Sequence, residues 1–505
     1  MLAFSDGTRV TTPSRACHNC RRRRLRCDRS LPSCRKCSLA GKECLGYGPL
    51  LRWANAPAVR GKLVGRLGAA CPSRPIEDVT DSSKQPFLSI PPALLDPSIN
   101  GLGPKTKQYV HHFATVVCRD LVSFDQPNDN PFRSIIPPAG AFGFLGAIIV
   151  ATGAMNMAAM LGRYDGLRRP ELIDALVAKD RAMSLLRAAV DDLTPASLPM
   201  VVAATVFLVN LDLIDSGKGG WQVHIEAATK LMPSLLHNSI LASNRSLMRC
   251  LDVITADCLT YRVLGAAISG LDLTHWAEEE PAEFLGVLER AAAYTYHCCP
   301  PEILQIFLLA SKLHSNSKDG EAGADPDRIN KALALLQAAR SFDVVNWVHN
   351  IPGLSAHDDL PARITIGHAH RATACLYIIL AIPEAADCPS LTSPSHADVV
   401  VQEVLGYLSA VPIDHVHLKG TIWPTFVVGA QTDDPAQRTW CLERLEAVWT
   451  RNPWMCPWGY IRTTIRMMQD LWAIRDSRKA AGELGSGGRN WLWELKSMRD
   501  KCLIV

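Results

Sequence analysis

Between residues 17 and 44 the chain places six cysteines in the pattern C-x2-C-x6-C-x6-C-x2-C-x6-C, at Cys17, Cys20, Cys27, Cys34, Cys37 and Cys44. The first three have the same internal spacing as the last three, offset by seventeen residues, so the segment is two copies of one unit joined by a loop that carries Pro32. Folding of so small a unit depends on what its thiols bind. Zinc takes four tetrahedral ligands, and a C-x2-C pair supplies two from one tight turn. Two ions need eight ligand positions, which six cysteines provide only if two thiolates bridge both metals. The symmetry of the repeat makes Cys17 and Cys34 the bridges. One zinc then takes Cys17, Cys20, Cys27 and Cys34, and the other takes Cys34, Cys37, Cys44 and Cys17. A disulfide knot of six cysteines would have fifteen pairings and suits a secreted chain, but the opening "MLAFSDGTRV" lacks a basic region followed by an apolar one. A single mononuclear site leaves the repeat unexplained. The expected cofactor is two zinc ions per chain.

Charge is divided as unevenly as the thiols. Residues 1–67 hold fifteen Arg and Lys against Asp6, Asp28 and Glu43, a net +12 that leaves the other 438 residues at −8 of the chain's overall +4. A basic end on a mildly acidic body suits a nucleic acid or an anionic surface as partner. Within the repeat the asymmetry is sharper. Arg21, Arg22, Arg23, Arg24, Leu25 and Arg26 separate Cys20 from Cys27, whereas Ser38, Leu39, Ala40, Gly41, Lys42 and Glu43 separate Cys37 from Cys44. Only the first half carries forks that match O6 and N7 of guanine in a major groove. Leu25 is expected to pack inward. Arg35 and Lys36, with Arg52 and its neighbours Arg60, Lys62 and Arg66 around Trp53, extend the basic surface towards phosphates.

Beyond the cysteines the chain reads as all-α, without strand-type alternation or a βαβ rhythm. Residues 14–47 form the cluster unit, 48–67 a basic extension, 68–103 a flexible proline-rich linker, and 104–505 a large helical domain. Pro104 opens a helix whose Tyr109, Val110, Phe113, Val116, Val117 and Leu121 recur at helical spacing. In a helix over 171–192, Leu172, Leu176, Met183, Leu186 and Val190 define the face expected to be buried. Thr194 and Pro195 read as the N-cap and first residue of another helix. Residues 134–162 carry no charge and are long enough to span a bilayer. Pro137, Pro138, the glycines, Asn156 and the lack of an aromatic belt instead favour a buried helix, with no membrane partner.

The segment 15–47 resembles the DNA-binding domain of the fungal binuclear zinc cluster transcription factors, matching its cysteine spacings, basic run and loop proline without a gap. "VCRDLVSFDQPNDNPFRSIIPPA" at 117–139, "LIDSGKGGWQVHIEAATKLM" at 213–232 and "WPTFVVGA" at 423–430 resemble segments of the branch that carries the second fungal-specific transcription factor domain, which includes regulators of biosynthetic clusters. The resemblance implies that each half opens with a short helix and that the first presents its basic residues to a CGG triplet in double-stranded DNA. Carried over by position, the base-reading pair falls on Arg23 and Arg24. It also implies a nuclear protein that regulates RNA polymerase II genes through the transcription machinery, with drug resistance or secondary metabolism as the gene set.

No H-E-x-x-H, G-x-S-x-G or G-x-x-x-x-G-K occurs, and the other cysteines, Cys298 and Cys299 among them, lack ligand spacing, so no enzyme is expected. The alternative function is a helical interaction or ligand-sensing co-regulator brought to DNA by another subunit. Many members of the resembled family dimerise through a coiled coil just after the cluster. Here Gly46, Gly48, Pro49, Pro57 and Gly61 interrupt that region. Residues 1–103 are therefore expected to be monomeric, and any homodimer contact to come from the helical domain after Pro104.

Overall fold

The computed structural model describes residues 15–44 except 31, 32, 41 and 43, and residues 102–505 except 127–128, 162–169, 237–243, 270–280, 316–324, 387–396, 451–457, 483–490 and 499–501. The extension at 48–67, Arg52 included, and the linker up to residue 101 lie outside the described residues. The chain divides into two compact units, Met1–Gln85 and Pro86–Val505. Both are helical. Among the described residues no strand forms, and one isolated antiparallel bridge joins Val122 to Thr295.

In the second unit the helix Pro104–His112 runs through a π-turn at Phe113–Val117 into Cys118–Asp120. Tyr109, Val110, Phe113, Val117 and Leu121 are buried as their spacing implies, with Val116 only half-buried. This helix lies against Gly143–Leu161 so closely that a Cβ on Gly153 would sit 2.3 Å from the Tyr109 carbonyl oxygen. Only glycine permits that approach. His112 Nε2 and Asn156 Oδ1, 2.8 Å apart, tie the same two helices together.

Gly143–Leu161 and Leu198–Asp215 are both long and apolar enough to cross a membrane, yet their apolar windows are 67% and 94% buried within the body. Every residue from Leu198 to Ile214 is buried, which makes this the central helix. It starts at Leu198 rather than at Pro195, because Thr194 and Ser197 form a reciprocal turn first: Ser197 N–H donates to Thr194 Oγ1 at 3.2 Å and Thr194 N–H donates to Ser197 Oγ at 3.0 Å.

The helix Pro170–Asp191 reverses the expected orientation. Its buried residues are Ala175, Ala178, Ala182 and Leu186, whereas Leu172, Leu176, Met183 and Val190 are 37%, 52%, 36% and 46% exposed. The alanines form a narrow edge that lets the helix lie close along Gly143–Leu161, where a Cβ on Gly143 would lie 3.5 Å from the Leu185 side chain. Four of the five residues expected inside thus face outward, and only Leu186 lies on the buried edge.

Two buried cations gather the loops at one end of the helices. Arg363 is fully buried and bonds to Asp358 Oδ2 at 2.9 Å, Ser123 Oγ at 2.5 Å and the Ala293 carbonyl at 2.9 Å. His417 Nε2 meets the other Asp358 oxygen at 2.6 Å. Lys419 donates to the carbonyls of Asp120 at 2.8 Å and Val122 at 2.5 Å. Burial raises the Asp358 carboxyl, but His417 and Arg363 outweigh it and hold it at about 2. That contribution is therefore present above the usual carboxylate range and lost as pH falls towards 2. His370, whose Nε2 lies 2.9 Å and 3.0 Å from the carbonyls of His297 and Gly420, is pushed down to about 4 by burial.

Removing either kind of group has a measurable consequence. Arg363→Met leaves a buried carboxylate without its guanidinium and is expected to cost about 3–5 kcal/mol in denaturant unfolding. His370 binds its proton less readily folded than unfolded, so its contribution is complete above pH 6.5 and declines as pH drops to about 4. The stability difference between wild type and His370→Gln should accordingly shrink by roughly 3 kcal/mol from pH 7 to 4, read by denaturant midpoints across pH.

Candidate metal centre and nucleic-acid interface

The first unit is built from the repeat, hydrogen bond by hydrogen bond. His18–Arg22 and Arg35–Leu39 are short helices that begin immediately after Cys17 and Cys34. Cys17 Sγ accepts from the Cys20 N–H at 3.4 Å, and Cys34 Sγ accepts from the Cys37 N–H at 3.4 Å. Each half then closes by the same contact, Leu25 N–H to the Cys20 carbonyl at 2.9 Å and Lys42 N–H to the Cys37 carbonyl at 3.0 Å. Asp28 fastens the joining loop: it accepts from Ser30 Oγ at 2.5 Å and from the Arg35 N–H at 3.1 Å, and these bonds hold its carboxyl at about 2.

The thiols converge at the centre as two groups of four, Cys17, Cys20, Cys27 and Cys34 in one and Cys17, Cys34, Cys37 and Cys44 in the other. Within each group all sulfurs lie within 4.8 Å of one another, and Cys17 and Cys34 belong to both. Cys17 and Cys34 sulfurs are 3.5 Å apart, Cys17 and Cys37 are 3.8 Å apart, and Cys20 and Cys34 are 3.7 Å apart. A disulfide would need about 2.05 Å, whereas thiolates tetrahedral about zinc at about 2.3 Å lie about 3.8 Å from each other. Burial pushes the Cys17 and Cys34 thiols up, so a divalent cation is what makes thiolates tolerable at the centre. No third group of this kind occurs among the described residues. Cys118, Cys250, Cys258, Cys298, Cys299, Cys375, Cys441 and Cys502 are buried singly or in pairs in the helical body.

The arginines lie on the outside of this core. Arg21 and Arg22 close the first helix, Arg23 is its C-cap, and Arg24 adopts a left-handed φ of 55° that turns the chain towards Cys27. Arg21, Arg22, Arg23, Arg24 and Arg26 are all exposed, as are Arg35 and Lys36 at the start of the second helix. Arg23 and Arg24 therefore follow the helix rather than lie within it. Leu25 is 41% exposed, against the inward packing its apolar character implies, because the interior is filled by sulfur and leaves no pocket for it.

Residues 15–54 match the fungal Zn(2)-Cys(6) binuclear cluster domain and residues 108–504 match the fungal specific transcription factor domain. The chain belongs to the fungal zinc-cluster transcription factors. It is 42% identical to the acriflavine sensitivity control protein acr-2 of Neurospora crassa, across 97% of each chain. No solved structure matches it. The protein is accordingly a two-zinc, DNA-binding transcription regulator and not an enzyme. Its histidine pairs serve the fold: His370 and His417 are buried in the loop network, and His415 Nε2 meets Asp359 at 3.1 Å. No local motif announces that network, since His417 meets Asp358 across 59 residues and His370 meets the His297 carbonyl across 73. Trp221 and Trp423 are core residues, 2% and 1% exposed.

The shared sulfurs make a stoichiometric demand. Cys17→Ala or Cys34→Ala, each removing a sulfur common to both groups, should leave the purified chain with fewer than one zinc. Cys20→Ala or Cys44→Ala should retain about one, and wild type about two, by elemental analysis.

Proposed function

We propose that this regulator reads CGG-type triplets in the major groove of duplex DNA through Arg23 and Arg24. Arg21, Arg22, Arg26, Arg35, Lys36 and Arg52 contact the flanking phosphates. In this reading the six cysteines hold two zinc ions, with Cys17 and Cys34 bridging. The supporting observation is the run of exposed arginines between Cys20 and Cys27, Arg21 to Arg24 and Arg26, where the matching stretch between Cys37 and Cys44 carries none. Residues 14–47 form the reader, 48–67 its basic extension, 68–103 the linker and 104–505 the regulatory domain. The protein works in the nucleus on RNA polymerase II genes, engages the transcription machinery, and pairs with a second copy through the helical domain. The acriflavine sensitivity for which its 42% identical relative is named supports a drug-response gene set, and secondary metabolism is the second candidate set.

Base reading and phosphate contact separate in a binding titration. Arg24→Ala should lose roughly 1–3 kcal/mol on a CGG duplex and relax discrimination against a scrambled one, whereas Lys36→Ala should weaken both alike and lower the salt slope by about one. Unchanged discrimination by Arg24→Ala would show that another side chain reads the triplet. A zinc-loaded full chain without preference for CGG would instead mark a co-regulator delivered to DNA by another subunit.

A further inference from the structure

The outward face of Pro170–Asp191 has a pattern that the packing of the body does not use. Of the seventeen large apolar residues exposed among the described residues, seven lie on this one helix: Leu172, Ile173, Leu176, Val177, Met183, Leu185 and Val190. A concentration of this kind marks an interaction surface rather than scattered surface leucines. Positions 172, 176, 179, 183, 186, 190 and 193 alternate steps of four and three and read Leu, Leu, Lys, Met, Leu, Val, Leu. Of this a/d-type seam, Leu172, Leu176, Met183 and Val190 are the exposed members within the helix, while Leu186 is buried against the body and Leu193 lies past the helix end at Asp191. The one polar member, Lys179, turns its ammonium back into the body, where Nζ meets Asp212 Oδ1 at 2.7 Å, and leaves its methylene stem to the seam.

We infer that this seam pairs with the same helix of a second copy of the chain, antiparallel, about a two-fold axis that passes by Met183. The charges beside the seam decide both the occupant and the direction. Asp180 and Arg187 occupy successive positions on its outer edge, both are exposed, and neither forms an ion pair among the described residues. In an antiparallel pair, like edges meet. Leu176 then packs on Val190 of the second copy, Met183 on its Met183, and Asp180 faces its Arg187, with each contact repeated by the two-fold. A parallel pair would set this edge against the alanines at 175, 182 and 189 and leave both charges unmatched. A surface complementary to itself in shape and charge fits an isologous dimer. The inference rests on the homodimer reading above and assigns it a surface.

Sedimentation of the zinc-loaded full chain, without DNA, tests it independently of what the cluster reads. Wild type should dimerise at micromolar concentration. Leu176→Glu with Met183→Glu should be monomeric with an unchanged circular dichroism melt, because both side chains are exposed in the protomer. Asp180→Arg should weaken the dimer about tenfold by facing cation with cation, and Asp180→Arg combined with Arg187→Asp should restore it. A wild-type monomer at tens of micromolar would overturn the inference. So would a dimer indifferent to the glutamates, or a double charge reversal that fails to rescue. A chain that dimerises as described but ignores CGG would sink the DNA reading alone, and a monomer that prefers CGG would sink this inference alone.

Discussion

Arg363 has no contact with solvent and, as a guanidinium, cannot shed its charge. The helical body has to bring it an anion and enough acceptors, and these come from segments far apart in sequence. Ser123 follows the first helix of the body, the Ala292 and Ala293 carbonyls belong to the turn after Pro281–Ala291, and Asp358 immediately precedes Asp359, the N-cap of Leu360–Ala381. Lys419 repeats the arrangement on the neighbouring carbonyls of Arg119, Asp120 and Val122. The helices supply the apolar burial, but their relative placement at this end is fixed by loops that converge on two cations. A desolvated charge left without its partner costs more than most apolar truncations, which makes alternative packings of these loops expensive.

The cluster unit meets the same requirement with the signs reversed. Its interior is sulfur, and thiolates drawn together out of water repel one another until a divalent cation is shared among them. Because the sulfurs fill the centre, apolar side chains have no place there, and Leu25 and Leu39 stand exposed at 41% and 88%. The surface is thereby freed for charge. Every residue from Arg21 to Arg26 faces solvent, which a unit of this size with a hydrocarbon core could not permit.

How much of this could be read from the chain follows from the range of the interactions involved. The cluster was legible because its repeat spacing is itself the geometry: equal offsets in sequence become equal hydrogen bonds in the two halves. The all-α body and its two apolar core helices were legible from periodicity and length. The orientation of Pro170–Asp191 was not, since periodicity announces an apolar stripe without saying what covers it, and the edge that is covered is made of alanines, which carry a weak hydrophobic signal. The Arg363 hub was illegible for a different reason. Its partners at Ser123 and Arg363 are 240 residues apart, and nothing local at either site signals the other.

The leucines that misled the periodicity argument also bear on the selectivity that the proposed triplet reading requires. A single triplet offers few base contacts, and a short basic unit draws most of its affinity from phosphates, which are the same in every sequence. Net negative charge on the remainder of the chain keeps the body from adding further indiscriminate attraction to a polyanion. Selectivity then has to come from reading two triplets at once. Joining two readers makes the second encounter intramolecular and raises its effective concentration without any new base contact. The proposed pairing surface on the acidic body would join two readers in this way. Its apolar seam is insensitive to the salt that weakens the phosphate contacts, so the discrimination between paired and single triplets should grow as ionic strength rises.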